Sequence, residues 1–345
     1  MEKLVSQLAG ILKDYRSDER LNPTPQIIEK WISQFTPQNQ QVILKEMIHI
    51  FNKMYVSEQK IDKFLLRLIT NKKLTNNNPK LFWSDVSLLN IQKDGQSQNI
   101  MVEKFKKLLW QDLEINIAIN DYSKSHYIYL DDFLFSGMKL KTDLTTFMQD
   151  APYNAKIDII YIGYFASGKY YVKNKWLKNN NSKNLDITIW RLIELENKNN
   201  CQNSSDILLP TNDILNYDIV TEYLKKQTNY TIRDTDQRPN YYCGGNNIFS
   251  SEENRIIVER EFTLAGLKIN SSIHDEKKKL YWKPLGITSL KGLGFGAMVL
   301  TYRNCPNNTP LALWWGDWDN NVVWTPLFQR KTYKRMPTIN IKDIF

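Results

Sequence analysis

The sequence predicts an α/β fold: a mostly parallel sheet flanked by helices, preceded by a helical N-terminal subdomain and followed by a C-terminal extension. Three observations predict it. Apolar residues recur at helical spacing up to about residue 70. Between residues 115 and 195, short and nearly continuous apolar runs alternate with helical stretches, as expected for strands covered on both faces. The chain has 345 residues and is 42% hydrophobic, enough to bury a large core.

In chain order, Leu4, Leu8, Ile11, Leu12 and Tyr15 form the first helical stripe. In NPTPQIIEKWISQF, Thr24 takes the N-cap and Pro25 the first helical position, with Ile28, Trp31, Ile32 and Phe35 facing inward. A third helix carries Val42, Met47, Ile50, Phe51 and Met54, and a fourth over 57–70 carries Ile61, Phe64, Leu65 and Leu68. The polar stretch NKKLTNNNPK (71–80) reads as a connector, so residues 1–75 are assigned to the helical subdomain. Residues 76–200 are assigned to the α/β core. There Gly95, Gln96 and Ser97 open a helix with Ile100, Phe105, Leu108 and Leu109 inward. Strands are expected at 115–119, 126–130, 156–168 and 185–195, with helices at 138–149 and 170–179. Residues 201–345 complete the core and its hood. They hold a helix capped by Thr211 or Asn212, a loop over 233–251, a helix from Ser251 closed by Gly266, and a final strand, turn and aromatic segment.

The formal net charge is +9, which favours an anionic partner such as nucleic acid, nucleotide phosphates or an acidic protein. The basic residues cluster only briefly, at Lys104, Lys106 and Lys107, at 277–279, and at Arg330, Lys331, Lys334 and Arg335. No apolar run is long enough to cross a membrane, and charges come too early for a signal peptide. The three cysteines, Cys201, Cys243 and Cys305, form no CxxC pair, which argues against a zinc site or a disulfide framework and for a reducing cytoplasm. No GxSxG, P-loop or HExxH motif is present.

The stretch that points to a ligand is YIYLDDFLFSGMKL (127–140). It reads as a hydrophobic strand ending at Asp131 and Asp132, then a Ser136-Gly137 turn, then a helix. Ligands of open α/β sheets bind beyond the carboxyl ends of strands. A helix N-terminus offers unpaired N–H groups to phosphate, whereas carboxylates accept hydrogen bonds from hydroxyls or take part in holding Mg²⁺. Together these groups predict a phosphorylated sugar, its diol toward the aspartates and its phosphate in the turn.

This stretch resembles the phosphoribosyl-pyrophosphate (PRPP) signature of type I phosphoribosyltransferases: strand, two acids, three residues, a hydroxyl-Gly pair and a phosphate loop. The resemblance implies a phosphoribosyltransferase-like fold and Mg²⁺ accompanying PRPP. It implies that Asp131 and Asp132 are the catalytic-site acids that hold the ribose. It also implies that Phe135, Ser136, Gly137, Met138 and Lys139 wrap the 5′-phosphate, and that Gly95, Gln96 and Ser97 form the pyrophosphate turn. Two positions depart from the family pattern. Lys139 stands where a closing Thr or Ser is usual, and Phe135 stands where purine-salvage members carry an aspartate. An enzyme and a non-catalytic nucleotide-sensing or partner-binding module on the same fold therefore both stay open. More widely, EKWISQF, GQSQNIM, NRIIVEREFTLAGLKI and YRNCPNNTPLALWW resemble a group of bacterial phosphoribosyltransferase-like proteins of conflict or antiphage systems. That likeness implies a defence setting and a partner protein from a defence operon.

Asn307, Asn308 and Trp314 are candidate contacts for an acceptor or base, since aromatics stack on bases; the plain alternative is an Asn-stabilised turn. Ser167, Gly168 and Lys169 either approach the same ligand or form an ordinary strand–helix turn. Arg255, Glu259 and Arg260 read as helix-surface ion pairs, with Arg255 in reach of a phosphate.

Overall fold

The computed structural model describes residues 1–93, 97–198, 201, 205–227, 248–287, 292–318 and 323–330. Gly95, Gln96, Cys243, Lys331, Lys334, Arg335 and most of the 233–251 loop lie outside the described residues.

The N-terminal helices are α1 (Glu2–Ile11), α2 (Pro25–Ile32), α3 (Gln40–Met54) and α4 (Glu58–Ile69). Thr24 caps α2 by accepting from Ile27 N, and Ser57 caps α4 by accepting from Lys60 N. Both satisfy N–H groups that a helix start leaves open. The short helix α5 (Pro79–Asp85) follows, within and beyond the stretch that reads as a connector. Its Trp83 is buried and donates to Ile69 O at 2.9 Å.

The main sheet has five strands, all parallel, in the order β3-β2-β4-β5-β6. They are β2 (Ser87–Leu89), β3 (Ala118–Ile119), β4 (His126–Leu134), β5 (Lys156–Phe165) and β6 (Asp186–Leu195). β4 is central. The strand β2, three residues long, has too short a pattern to stand out in sequence, and β3 keeps only two of the five residues expected. The crossovers carry α6 (Ser97–Leu113), α7 (Met138–Asp150), and α8 (Ala166–Tyr170), which continues through a π turn at Tyr171–Trp176 into α9 (Leu177–Asn180).

Each face of the sheet has its own core. Ile128, Leu130, Ile160 and Ile162 join Phe105, the N-terminal helices and the C-terminal segment. Tyr127, Tyr129, Ile157, Ile159 and Tyr161 pack with Leu140, Leu144 and Phe147 of α7. The remaining elements are α10 (Asp218–Lys225), α11 (Glu252–Ser271), α12 (Glu276–Tyr281), β7 (Leu300–Thr301) and α13 (Leu311–Trp314). β7 pairs in parallel with β1 (Tyr55–Val56). Trp31 of α2 donates to Ala312 O at 2.8 Å, so the N-terminal helices and the 311–328 segment share one core.

Two expectations about α11 are corrected. Gly266 does not end the helix, which runs on to Ser271; a Cβ there would lie 2.4 Å from Pro284 O, so glycine lets the two backbones touch. Arg255 and Glu259 are not at the surface: both are 0% exposed and paired at 2.7 Å, and Arg255 reaches no ligand cavity. Replacing Gly266 by Ala is expected to cost about 1–3 kcal/mol through overpacking, because the obstructing atoms are backbone. Chemical denaturation of Gly266→Ala checks this, and an unchanged midpoint would refute it.

Candidate functional site

A cavity of about 900 Å³ opens at the carboxyl end of β4. Its lining includes Asp131, Asp132, residues 133–139 and Tyr161 on the sheet side. Segments distant in sequence complete it, among them Arg16, Ser97, Arg303, Asn307, Asn308 and Arg330.

β4 does not stop at the aspartates; it continues through them to Leu134. In a regular strand adjacent residues face opposite sides. Here the alternation slips. Ile128 and Leu130 share a core with Phe133, while Tyr127 and Tyr129 share the other with Leu134. The paired register includes Asp131↔Tyr161 and Phe133↔Gly163 but omits Asp132. The N–H of Asp132 instead donates to Asp131 Oδ1 at 2.9 Å, and that of Phe133 to Asp132 Oδ1 at 2.8 Å. This slip lets two neighbouring carboxylates line one cavity.

Asp131 is 2% exposed. Its Oδ2 accepts from Gln92 Nε2 at 3.3 Å and lies 3.8 Å from Lys139 Nζ. Burial, then the charge of Asp132, pushes its carboxyl up to about 6, against the opposing pull of Lys139 and Ser97. Asp132 is more open and is paired to Arg303 Nη2 at 2.8 Å. Arg303 also donates to Ser97 O at 3.2 Å, and Lys139 to Ser97 Oγ at 3.2 Å. Ser97 therefore sits beside the acid pair.

The phosphate-loop residues fold into a tight turn. Gly137 has φ +83°, and a Cβ there would lie 2.6 Å from Val172 Cγ2 and 3.0 Å from Gly168 O. A Cβ on Gly168 would lie 2.0 Å from Phe135 O. Two glycines thus press the loop onto the start of α8. Ser136 Oγ accepts from Met138 N at 3.4 Å, and Met138 is exposed. Phe135 is held by Phe165 and Phe295 at 5.5 and 5.7 Å between ring centroids.

The other candidates divide. Asn307 and Asn308 line the cavity, and Asn308 Nδ2 donates to Ile287 O at 3.0 Å. Trp314 does not line it: the ring is 6% exposed and its N–H donates to Thr309 O at 2.8 Å. Burial in the core removes it from base stacking. Ser167 and Lys169 also stay outside the lining; Ser167 N donates to Asn197 Oδ1, and Lys169 Nζ to Tyr164 OH. Gly168 serves the site from beneath the loop. Sequence reasoning missed Gln92, Tyr161, Arg16 and Arg303. None carries a local motif; a basic residue beside a Tyr-Asn pair gives no sign that it reaches a carboxylate on another element.

Among the described residues no group of three or more His, Cys, Asp or Glu side chains could hold a metal ion. Mg²⁺ needs near-octahedral oxygen coordination, and here each aspartate already faces a cation. The donor set does not fit a magnesium ion held by the chain itself.

The raised carboxyl of Asp131 has a testable sign. Its folded value lies above the ordinary 3.8, so the folded state favours the protonated form. The resulting stability is full below about pH 4 and is lost as pH rises through about 6. The unfolding free energy of wild type relative to Asp131→Asn is expected to fall by roughly 2 kcal/mol between pH 4 and 7. Denaturant titrations across that range check it, and a flat or rising difference contradicts it.

The comparisons with known proteins follow this geometry. No curated protein matches the chain. Among solved structures it is similar to the AQ2163 protein from Aquifex aeolicus, at 12% identity over 46% of this chain and 85% of that one. The TM-score is 0.28, too low for that likeness to bear on fold or function. In the region that contains the sheet, the acid pair and most of the cavity wall, residues 28–330, the model of one family fits, and the chain belongs to that family: PRTase-CE, a conflict-associated group of phosphoribosyltransferase-like proteins.

Proposed function

We propose that this cavity binds PRPP, delivered with Mg²⁺, or a closely related phosphorylated ribose. The observation that carries the reading is the convergence of Asp131 and Asp132 with the Gly137 turn and Ser97 around one cavity. The carboxylates accept from the ribose diol, and the N–H groups of the turn at the start of α7 receive the 5′-phosphate. Lys139 adds a point charge where a hydroxyl is usual. The magnesium belongs to the ligand's diphosphate.

As an enzyme, the chain would act by positioning and by stabilising charge. The bond from ribose C1 to the diphosphate oxygen breaks, the electron pair leaves with pyrophosphate, and an acceptor nucleophile bonds to C1. Arg303 and Ser97, beside the acid pair, would meet the departing charge. In the conflict setting of the family, this reaction would consume a metabolite or modify a partner, a nucleotide or nucleic acid.

A specific observation favours a second reading, a ligand-sensing module without turnover. Phe135 puts no acid or base at its position on the loop and is fixed among aromatic rings, so the side chain that stands where an acid is usual moves no proton for an acceptor. Of the basic clusters, Lys104 is held by Glu58 and Asp62 at 2.9 and 2.6 Å, and Lys106 by Glu103. These two lysines are neutralised on their own surface and lend little charge to a partner.

A ligand bound only by the folded state stabilises it by about 3 kcal/mol at a hundredfold excess over Kd. PRPP with Mg²⁺ is expected to raise the melting temperature of wild type by a few degrees and to leave the Asp131→Asn, Asp132→Asn double variant unmoved. No shift in a folded wild type would sink the reading. Pyrophosphate release then separates the two forms: release lost in the double variant marks an enzyme, and a thermal shift without release marks a sensor.

A further inference from the structure

We propose that the cavity holds a second oxyanion subsite, formed by the guanidinium of Arg330 and the amide of Asn307, which takes the carboxylate or phosphate of a second ligand. Because that ligand would be the acceptor, this inference rests on the PRPP reading of the first site.

Three arginines line the cavity. Arg303 is committed to Asp132 and Ser97 O. Arg16 is committed to Glu19 through two nitrogens and to Gln329 O at 2.7 Å. Arg330 differs. Its Nε donates to Cys305 O at 3.1 Å, and its plane is backed by the Trp314 ring at 4.9 Å. Its two terminal nitrogens have no partner among the described residues. Burial holds its pKa below the usual arginine value, so a partly desolvated charge stands without an anion among the described residues. That arrangement is unfavourable unless an anion arrives.

The group is also fixed in place. Tyr15 OH accepts from Cys305 N and donates to Gln329 O, tying the 305–308 turn to the segment that carries Arg330. Cys305 Sγ and Thr309 Oγ1 close the turn at 3.0 Å. On it, Asn307 uses its carbonyl to accept from Ile287 N, while its side-chain amide has no partner among the described residues. The guanidinium of Arg330 and the amide of Asn307 therefore both line the cavity, carried on segments that Tyr15 ties together. A planar fork of this kind matches a carboxylate or phosphate in bidentate fashion and gives no advantage to a neutral base.

Calorimetric titration tests this with phenyl phosphate as the phosphate probe, benzoate as the carboxylate probe and benzyl alcohol as the neutral control, none of which carries the ribose diol that the first site would hold. Wild type is expected to bind at least one of the two anions more tightly than benzyl alcohol. Arg330→Met is expected to weaken that binding about tenfold or more while leaving PRPP affinity within about twofold. The anion that binds identifies the source of the oxyanion. Arg330→Lys, which keeps charge and stem but loses the fork, and Asn307→Ala are expected to weaken it less. These two variants decide the matter if Arg330→Met does not fold. Failure of both anions to bind wild type, equal anion affinity in the folded Arg330 and Asn307 variants, or an equal loss of PRPP binding would each overturn the subsite. If PRPP fails to bind wild type but anion binding still depends on Arg330, the first-site reading falls and the subsite stands.

Discussion

The arrangement around the cavity depends on a buried carboxylate at the end of the central strand. Asp131 lies between neighbouring strands, shielded from water, with its charge further opposed by Asp132. Ionised carboxylates are tolerated in such places only when hydrogen bonds and cations compensate. Each compensating group comes from a different element: Gln92 from the loop after β2, Ser97 from the start of α6, Lys139 from α7, and Arg303 through Asp132 from beyond β7. One strand end thus gathers the pieces of a site.

The phosphate loop is shaped by close backbone approach. The loop between β4 and α7 rests on the start of α8, with Phe135 O against Gly168 and the Gly168 carbonyl against Gly137. A side chain at either glycine would lift the loop from its support. Phe135 closes the packing by joining Phe165 and Phe295, which fixes the loop and leaves an apolar ring at that position. The same residue therefore stiffens the pocket and narrows its chemistry.

The remaining wall is assembled from both ends of the described chain. Tyr15 and Arg16 hold Gln329, Arg330 holds the Cys305 carbonyl, and Trp31 holds Ala312. These contacts place cations from residues 16, 303 and 330 around one space. Two of the three are balanced by nearby carboxylates, and the third has no carboxylate partner among the described residues.

The sequence by itself determined the α/β layering, the parallel strands, the cap at Thr24, and the acid pair followed by a turn. These features are written in local periodicity and in residue types whose chemistry acts over a few positions. Tertiary structure alone decided the rest. β2 is too short to show a pattern, and the slip in β4 that brings both aspartates to one cavity depends on neighbouring strands. Gly266 reads as a helix stop until Pro284 is seen against it, and Arg255 and Glu259 read as surface charges until α11 is buried. Arg303 meets Asp132 across a separation of 171 residues, and Trp314 is withdrawn into the core by its bond to Thr309. Such pairings depend on which elements pack together, and single-sequence patterning carries no term for that.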